Sequence, residues 1–317
     1  MTVLAEQGTI WNLPNYLGEL LTADLVSAPI LAMLGGMDAG MQTENFEFPT
    51  SSEYNFDAAA QPAITETASL SAPTESMAIR NEVKNVTQIF MRAIKISYVK
   101  LSNQGRLFGI NTAGSRGSVA DEKAFQINYN LQAIARDIEY SILNGAYQIA
   151  TDAGTANKTR GLIAACSLTG GTVIAGGSAT LTKAIMDSLF LGMFNAGALF
   201  QKPIIYANGF QKTLISNIYG YAPTDRSIGG VNLKQIETDF GSIMIAPAHR
   251  FMPTSTILCA DMDVVKPVVQ PVPEKGNFFY EELAKTGASE NGQIFGQFGL
   301  DHGPAFAHGA ITGLATS

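Results

Sequence analysis

Three histidines, two cysteines and the Glu281-Glu282 pair are the residues of this chain whose types and spacing come nearest to chemistry. Asp301-His302 and His308 lie close together near the C-terminus, and two imidazoles beside a carboxylate resemble part of a metal site. They stand in glycine-rich strand sequence with no further clustered ligand, so they read as structural histidines. His249, next to Arg250, reads as a polar turn residue. Glu281-Glu282 offers the paired carboxylates of general acid/base work, but adjacent strand residues point to opposite faces. Cys166 and Cys259 make no disulfide framework and read as small buried hydrophobes of a reducing cytoplasm. Asn85-Val86-Thr87 and Asn157-Lys158-Thr159 match the glycosylation pattern, but Met1 to Ile10 lacks the basic start of a secretion leader. The phosphate-binding G-x-x-x-x-G-K-[ST], the dinucleotide G-x-G-x-x-G, the G-x-S-x-G elbow, H-E-x-x-H and C-x-x-C do not occur. The sequence therefore assigns no catalytic residue, no metal ligand and no cofactor.

The elements that carry these residues follow from periodicity. Residues 12–36 read as two short helices. Pro14 suits a first helical turn, Leu17, Leu20, Leu21 and Leu25 give one apolar face, and Ser27 caps a second helix that Gly35-Gly36 stops. From Met37 to Ala78 no helical period is sustained. Pro49, Pro62 and Pro73 interrupt it, and Phe46, Phe48, Tyr54 and Phe56 are scattered through it. Aromatics in a loose arm predict that it docks on something, the alternative being a long irregular surface loop of the same subunit. Residues 79–101 are rich in β-branched and aromatic residues and alternate in places, as in Lys95/Ile96/Ser97/Tyr98, which predicts long strands with one wet face. Arg80, Lys84, Arg92, Lys95 and Lys100 fall there, directly after the arm, either as an intermolecular charge match or as a solvated strand face.

Residues 118–147 give the clearest helix. Ser118 with Asp121 resembles a capping box, and Ile127, Leu131, Ile134, Ile138 and Ile142 form one apolar stripe, with Arg136, Asp137 and Glu139 off it. About twenty-five helical residues make a rod of about 38 Å. A second unit follows a Gly/Thr/Asn loop. It has a helix capped by Thr180 or Thr182 and running through Ile185, Leu189 and Phe194, a buried strand at Pro203–Ala207, and a helix from Phe210 to Ile218. Next come a loop from Tyr221 to Gly230, a hairpin around Asp239-Phe240-Gly241, strands at Ile257–Ala260 and Val264–Val269, and short strands with glycine turns to Leu314.

Length and composition bound the rest. The chain has 317 residues, enough for about two domains, with 46% hydrophobic and only 15% charged residues. An ordinary soluble domain has about 25% charged residues. The formal charge of −7 is uneven. Residues 1–79 hold ten acids and no Lys or Arg, a net of −10, and residues 80–317 hold twenty bases and seventeen acids, a net of +3. This is neither a disordered chain nor one with the basic surplus of a sequence-specific DNA binder. The longest apolar run, Leu25 to Gly36, is broken by Ser27 and Pro29 and is too short to cross a membrane. So little charge predicts a surface largely covered by other subunits.

The order of elements resembles the major capsid proteins of tailed bacteriophages, with the HK97 fold, and more narrowly the SU10-type family. The resemblance spans about 15 to 314. It is carried by Asn15-Tyr16-Leu17 through Met33, Phe46-Glu47-Phe48, Asn85 to Phe90, Ile96-Ser97 and Ala135 to Glu139. Its most specific part is Ile236-Glu237-Thr238-Asp239-Phe240-Gly241, then Pro253, then Leu283-Ala284-Lys285-Thr286-Gly287. The resemblance implies an α+β fold with an N-terminal arm (1–56) and an arm continuation with an extended β-hairpin loop (57–103). It implies a peripheral domain (104–175) whose spine helix spans 118–147, an axial α/β domain (176–265), and a return to the peripheral sheet (266–317).

The implied function is a shell protein without catalysis. It self-assembles as hexamers and pentamers into an icosahedral or prolate head around double-stranded DNA, inside the virion, after assembly in the bacterial cytoplasm. The alternatives are an encapsulin-like compartment and a hydrolase with an unrecognised site. Implied partners are the chain itself, portal, scaffolding and decoration proteins, and weak non-specific DNA contact, with no membrane. The expected subunit contacts are Arg80, Lys84, Arg92, Lys95 and Lys100 on the extended loop, and Trp11, Tyr16, Phe46, Phe48 and Tyr54 on the arm. Tyr221, Asp225 and Arg226 are expected at the capsomer axis. A forty-residue extended arm reaches on the order of 130 Å, enough to cross a neighbour.

Overall fold

The computed structural model describes residues 28–55, 61–72, 79–102, 122–220 and 234–316. The elements in chain order are α1 (Pro29–Met33), β1 (Met41–Gln42), β2 (Glu47–Asn55), α2 (Glu66–Ser69), β3 (Ile79–Val86), β4 (Gln88–Ser97), α3 (Tyr98–Ser102) and α4 (Glu122–Asn144). After these come α5 (Leu162–Ala165), β5 (Thr172–Ala175), α6 (Lys183–Ala196), β6 (Pro203–Tyr206), α7 (Gly209–Tyr219), β7 (Gln235–Thr238) and β8 (Gly241–Ile245). The last are β9 (Ile257–Asp261), β10 (Lys266–Val269), β11 (Phe278–Leu283), β12 (Ser289–Asp301), a 3-10 turn (Ala305–Ala307) and β13 (His308–Thr312).

Three sheets organise them. In the first, β12 pairs antiparallel with β4 on one side and with β10 and then β11 on the other, and β1 joins β10 in parallel. The second runs β5-β13-β9-β6-β8-β7. The third is β2 with β3 alone. β4 is the long strand that the alternation predicts, one face buried and the other wet. β12 corrects the expectation of short strands with glycine turns, since it runs unbroken for 13 residues through Gly292, Gly296 and Gly299. Two glycines on β12 have a packing reason. A Cβ at Gly292 or Gly296 would strike the rings of Tyr280 or Phe278 on β11, which lie over the strand.

The spine helix α4 spans 23 residues, about 34 Å. Ile134, Ile138 and Ile142 are fully buried, with Ile127 and Leu131 packed at the core's margin, as the stripe predicts. Ser118 and its capping box lie outside the described residues. Around α4 the first core gathers Ile30, Phe90, Ile94, Ile294 and Phe298. The second core lies between α6, α7 and the six-stranded sheet, with Met186, Phe190, Ile205, Ile243 and Cys259. Thr182 caps α6, its side chain accepting from the Ile185 amide, and Gly197 ends it at φ 101°. The buried stripe of α6 is Met186, Leu189, Phe190 and Met193. Phe194, expected on that stripe, is 55% exposed, because the sheet lies under the other residues.

Candidate assembly surfaces

β2 and β3 form a two-stranded projection that enters the rest of the chain at one end. Their pairing runs from Glu47↔Val86 to Asn55↔Ile79, with a register shift at Pro49/Ser51. A proline cannot donate to the ladder, so the irregularity falls there. Strand pairing therefore crosses the boundary expected at 56/57, while β4 belongs to the sheet of β12. At the root, Asn85 is fully buried. Its Nδ2 donates to Leu300 O (2.7 Å), Thr159 Oγ1 (3.2 Å) and Arg160 O (3.2 Å), and its Oδ1 accepts from the Arg160 and Val86 amides. Thr159, also fully buried, accepts from the Leu300 amide at 3.1 Å. The two glycosylation-like triplets thus meet in one buried knot that ties the hairpin to β12. Beside it, Thr87 donates to Gln270 Oε1 at 2.8 Å, and Phe48 is buried so close to Gly299 that a Cβ there would lie 2.8 Å from its ring.

The expected contact residues divide. Lys84 pairs with Glu47 (3.6 Å), Arg92 with Asp137 (2.5 Å) and Lys100 with Glu122 (4.0 Å), all within the chain. Pairs this exposed are worth about 0–1 kcal/mol each, so a neighbour can exchange them at little cost. Lys95 is exposed with no ion-pair partner among the described residues. Arg80 stands opposite Tyr54 in the β2–β3 register. Phe46 is half exposed, whereas Phe48 is buried within its own subunit. Trp11, Tyr16, Tyr221, Asp225 and Arg226 lie outside the described residues.

Glu139, off the apolar stripe, and His249, at the entry to a turn, are both buried and meet. Glu139 is fully buried on α4. One carboxylate oxygen accepts from the Ile30 amide (2.9 Å) and His249 Nε2 (2.8 Å), and the other accepts from the Leu31 amide (2.8 Å). His249 Nδ1 accepts from the Phe251 amide, which leaves Nε2 to donate. The carboxylate satisfies the open N–H groups at the start of α1, whose N-cap is Ala28 without a side-chain bond. It thereby does the work expected of Ser27, which lies outside the described residues. The apolar period of α4 could not reveal this, because the three donors lie more than a hundred residues away.

His302 and His308 are both fully buried. His302 Nδ1 bonds Gly303 O (2.7 Å) and His308 Nε2 bonds His302 O (2.5 Å), so each is held by backbone rather than by a ligand set. Burial pushes both imidazoles down, His302 to about 4. No group of three metal-ligating side chains occurs among the described residues. Cys166 and Cys259 are buried and unpaired, as expected, and burial raises both thiols, Cys166 to about 12.

Large apolar side chains are instead left in the open. On and after α6, Leu191, Phe194 and Leu199 are 50–73% exposed. Phe194 lies 5.1 Å from the ring of Phe240, which stacks on Phe200 at 6.2 Å. On β4, Ile89 and Met91 are each 59% exposed. Contiguous exposed apolar surface of this kind marks protein contacts rather than a folding need. The available signal in the sequence was apolar residues falling off the buried stripe of a helix that already had one.

Comparison with known proteins converges on one architecture. The family described as SU10 major capsid protein matches residues 3–315. No curated protein matches by sequence. Among solved structures, the capsid asymmetric unit of Cyanophage A-1(L) is similar at TM-score 0.65 and 10% identity, covering 96% of this chain and 98% of that one. The capsid of the native GTA particle is similar at TM-score 0.60 and 13% identity, covering 99% and 100%. The holo-SrpI encapsulin complex from Synechococcus elongatus is similar at TM-score 0.56 and 10% identity, covering 100% and 97%. At such identities these likenesses show the fold.

Proposed function

The chain belongs to the SU10 major capsid protein family and is a structural capsid protein of the virion, and from that premise we propose how its surfaces build the shell. The subunits assemble without catalysis, as hexamers and pentamers, around double-stranded DNA, and do so in the bacterial cytoplasm. The β2–β3 hairpin lies over a neighbouring subunit. The loop with Tyr221, Asp225 and Arg226 faces the capsomer axis, and the α6 face packs on the next subunit around that axis. Portal and scaffolding proteins complete the assembly. The observation that supports this reading best is the hairpin itself. It forms a sheet of its own, rooted in a fully bonded buried knot at one end. An isolated two-stranded ribbon is marginally stable in water, so this one gains by lying on a partner. Weak contacts repeated around closed symmetry then add to a stable particle. The net charge of −7 gives little grip on phosphate, which suits a container whose DNA must leave.

Replacing residues 52–82 by a two-residue Asn-Gly turn, which removes the outer part of the hairpin and keeps its root paired at Ser51↔Val83, tests the reading. The subunit should keep its helical signal and its thermal transition, while closed shells disappear from negative-stain images. Normal shells from the shortened chain would contradict the role given to the hairpin.

A further inference from the structure

A groove of about 590 Å3 opens beside α1. Pro29, Ile30 and Met33 form one wall, and Tyr206, Met244 and Pro247 line the other. Lys212 and Lys234 also line it; Lys212 reaches Ala246 O at 3.0 Å, and Lys234 is exposed. Ile30 and His249 belong both to the groove and to the Glu139 junction, so the groove continues the place where the start of α1 is fastened. Met33 and Met244 stand 41% and 48% exposed there. Twenty-seven residues precede Ala28, and the last dozen of them hold Leu17, Leu20, Leu21 and Leu25 at helical spacing, with Glu19, Asp24 and no base.

We propose that the groove is the seat of this chain's own segment Tyr16–Leu25, packed as a helix antiparallel to α1 with its leucines inward and its two acids towards Lys212 and Lys234. Three observations converge on that occupant. The groove is apolar and bears two lysines, and the segment is apolar and carries only acids. Only Val26 to Ala28 separate the segment from α1, which suits the 2–5-residue connection of two antiparallel helices. So short a tether holds the segment at an effective concentration in the millimolar range, ahead of any copy in dilute solution. Amphipathic helices are bound in apolar grooves through such i, i+3, i+4 anchors. The inference goes beyond the assembly reading and, for Tyr16, replaces the expected contact with a neighbouring subunit by one inside the chain; the hairpin's role does not depend on it.

Cross-linking in the full chain tests it. Leu17→Cys, Leu20→Cys and Leu21→Cys are each combined with Met244→Cys and oxidised mildly. Cys166 and Cys259 are buried and do not compete. At least one pair should yield a joined peptide within single chains, running as a monomer on a non-reducing gel. Joined peptides only between chains would overturn the proposal by placing the segment on a neighbour, and no joined peptide in any pair would overturn it outright. A second readout places the probe in the segment itself, Leu20→Trp in a Trp11→Phe background. Its emission should be that of a buried indole and should shift to the red when Met244→Asp is added, with helical content constant. A water-exposed emission that Met244→Asp leaves unchanged would contradict the proposal.

Discussion

At the hairpin root Asn85 and Thr159 are fully buried, whereas along α6 and just beyond it Phe194 and Leu199 are 55% and 73% exposed. Polar side chains are inside at the first place and large apolar ones are outside at the second. The inversion is stable at the root because donors and acceptors answer each other within the chain. A buried polar group costs little once it is fully bonded. Along α6 the apolar face stays largely open among the described residues beyond the Phe194–Phe240 contact, and in the proposed assembly a neighbouring subunit covers it. Interactions that must be right before assembly are completed inside the subunit, and those that drive assembly are left open.

The Glu139 junction is of the first kind and should show the largest effect. Glu139→Ala removes the acceptor of three buried donors, at about 1–3 kcal/mol each, so a loss of about 4 kcal/mol in urea unfolding is expected. A loss below about 1 kcal/mol would mean that the junction is not buried as described.

Acid should act next. With His302 held near 4 by burial against an unfolded value near 6.5, the unfolded chain binds the proton first. Stability is then complete above about pH 6.5 and falls by about 3 kcal/mol as the pH drops towards 4. His308 contributes with the same sign. Unfolding followed against pH checks this, and His302→Gln should flatten the slope in that window.

Asn85→Ala strips the knot of its centre and leaves the Leu300 carbonyl and Arg160 amide short of partners. A loss of about 2 kcal/mol is expected, together with faster proteolysis across residues 47–86. At the opposite end of the scale, Phe194→Ser with Leu199→Ser should change subunit stability by under about 0.5 kcal/mol. The same pair should abolish or slow assembly, and a large loss of subunit stability would place those side chains in the core and end the contrast.

The sequence made one half of this contrast legible. The isoleucine stripe of α4 and the alternation in β4 announce themselves because each depends on a local period. The order of elements, with Ile236 to Gly241 and Leu283 to Gly287 as its most specific segments, carried the resemblance to the family. β2 was hidden, since Pro49 and Ser51-Ser52 weaken a strand whose ladder comes from β3, some thirty residues on. For Glu139 the period shows only that it lies off the apolar stripe; its burial depends on donors that come from α1 and His249. The sequon-like Asn85 and Thr159 carried no signal of each other, although they are hydrogen-bonded. Side chains whose role depends on a distant partner were the ones a local period could not reveal.

The central claim is that the exposed apolar face of α6 and the β2–β3 hairpin are completed by other copies of this chain. Sedimentation velocity of the purified full-length protein, with negative-stain imaging of each fraction, tests it most directly. The account predicts capsomers or closed shells at physiological salt. A homogeneous 33.7 kDa monomer persisting at high concentration would contradict it.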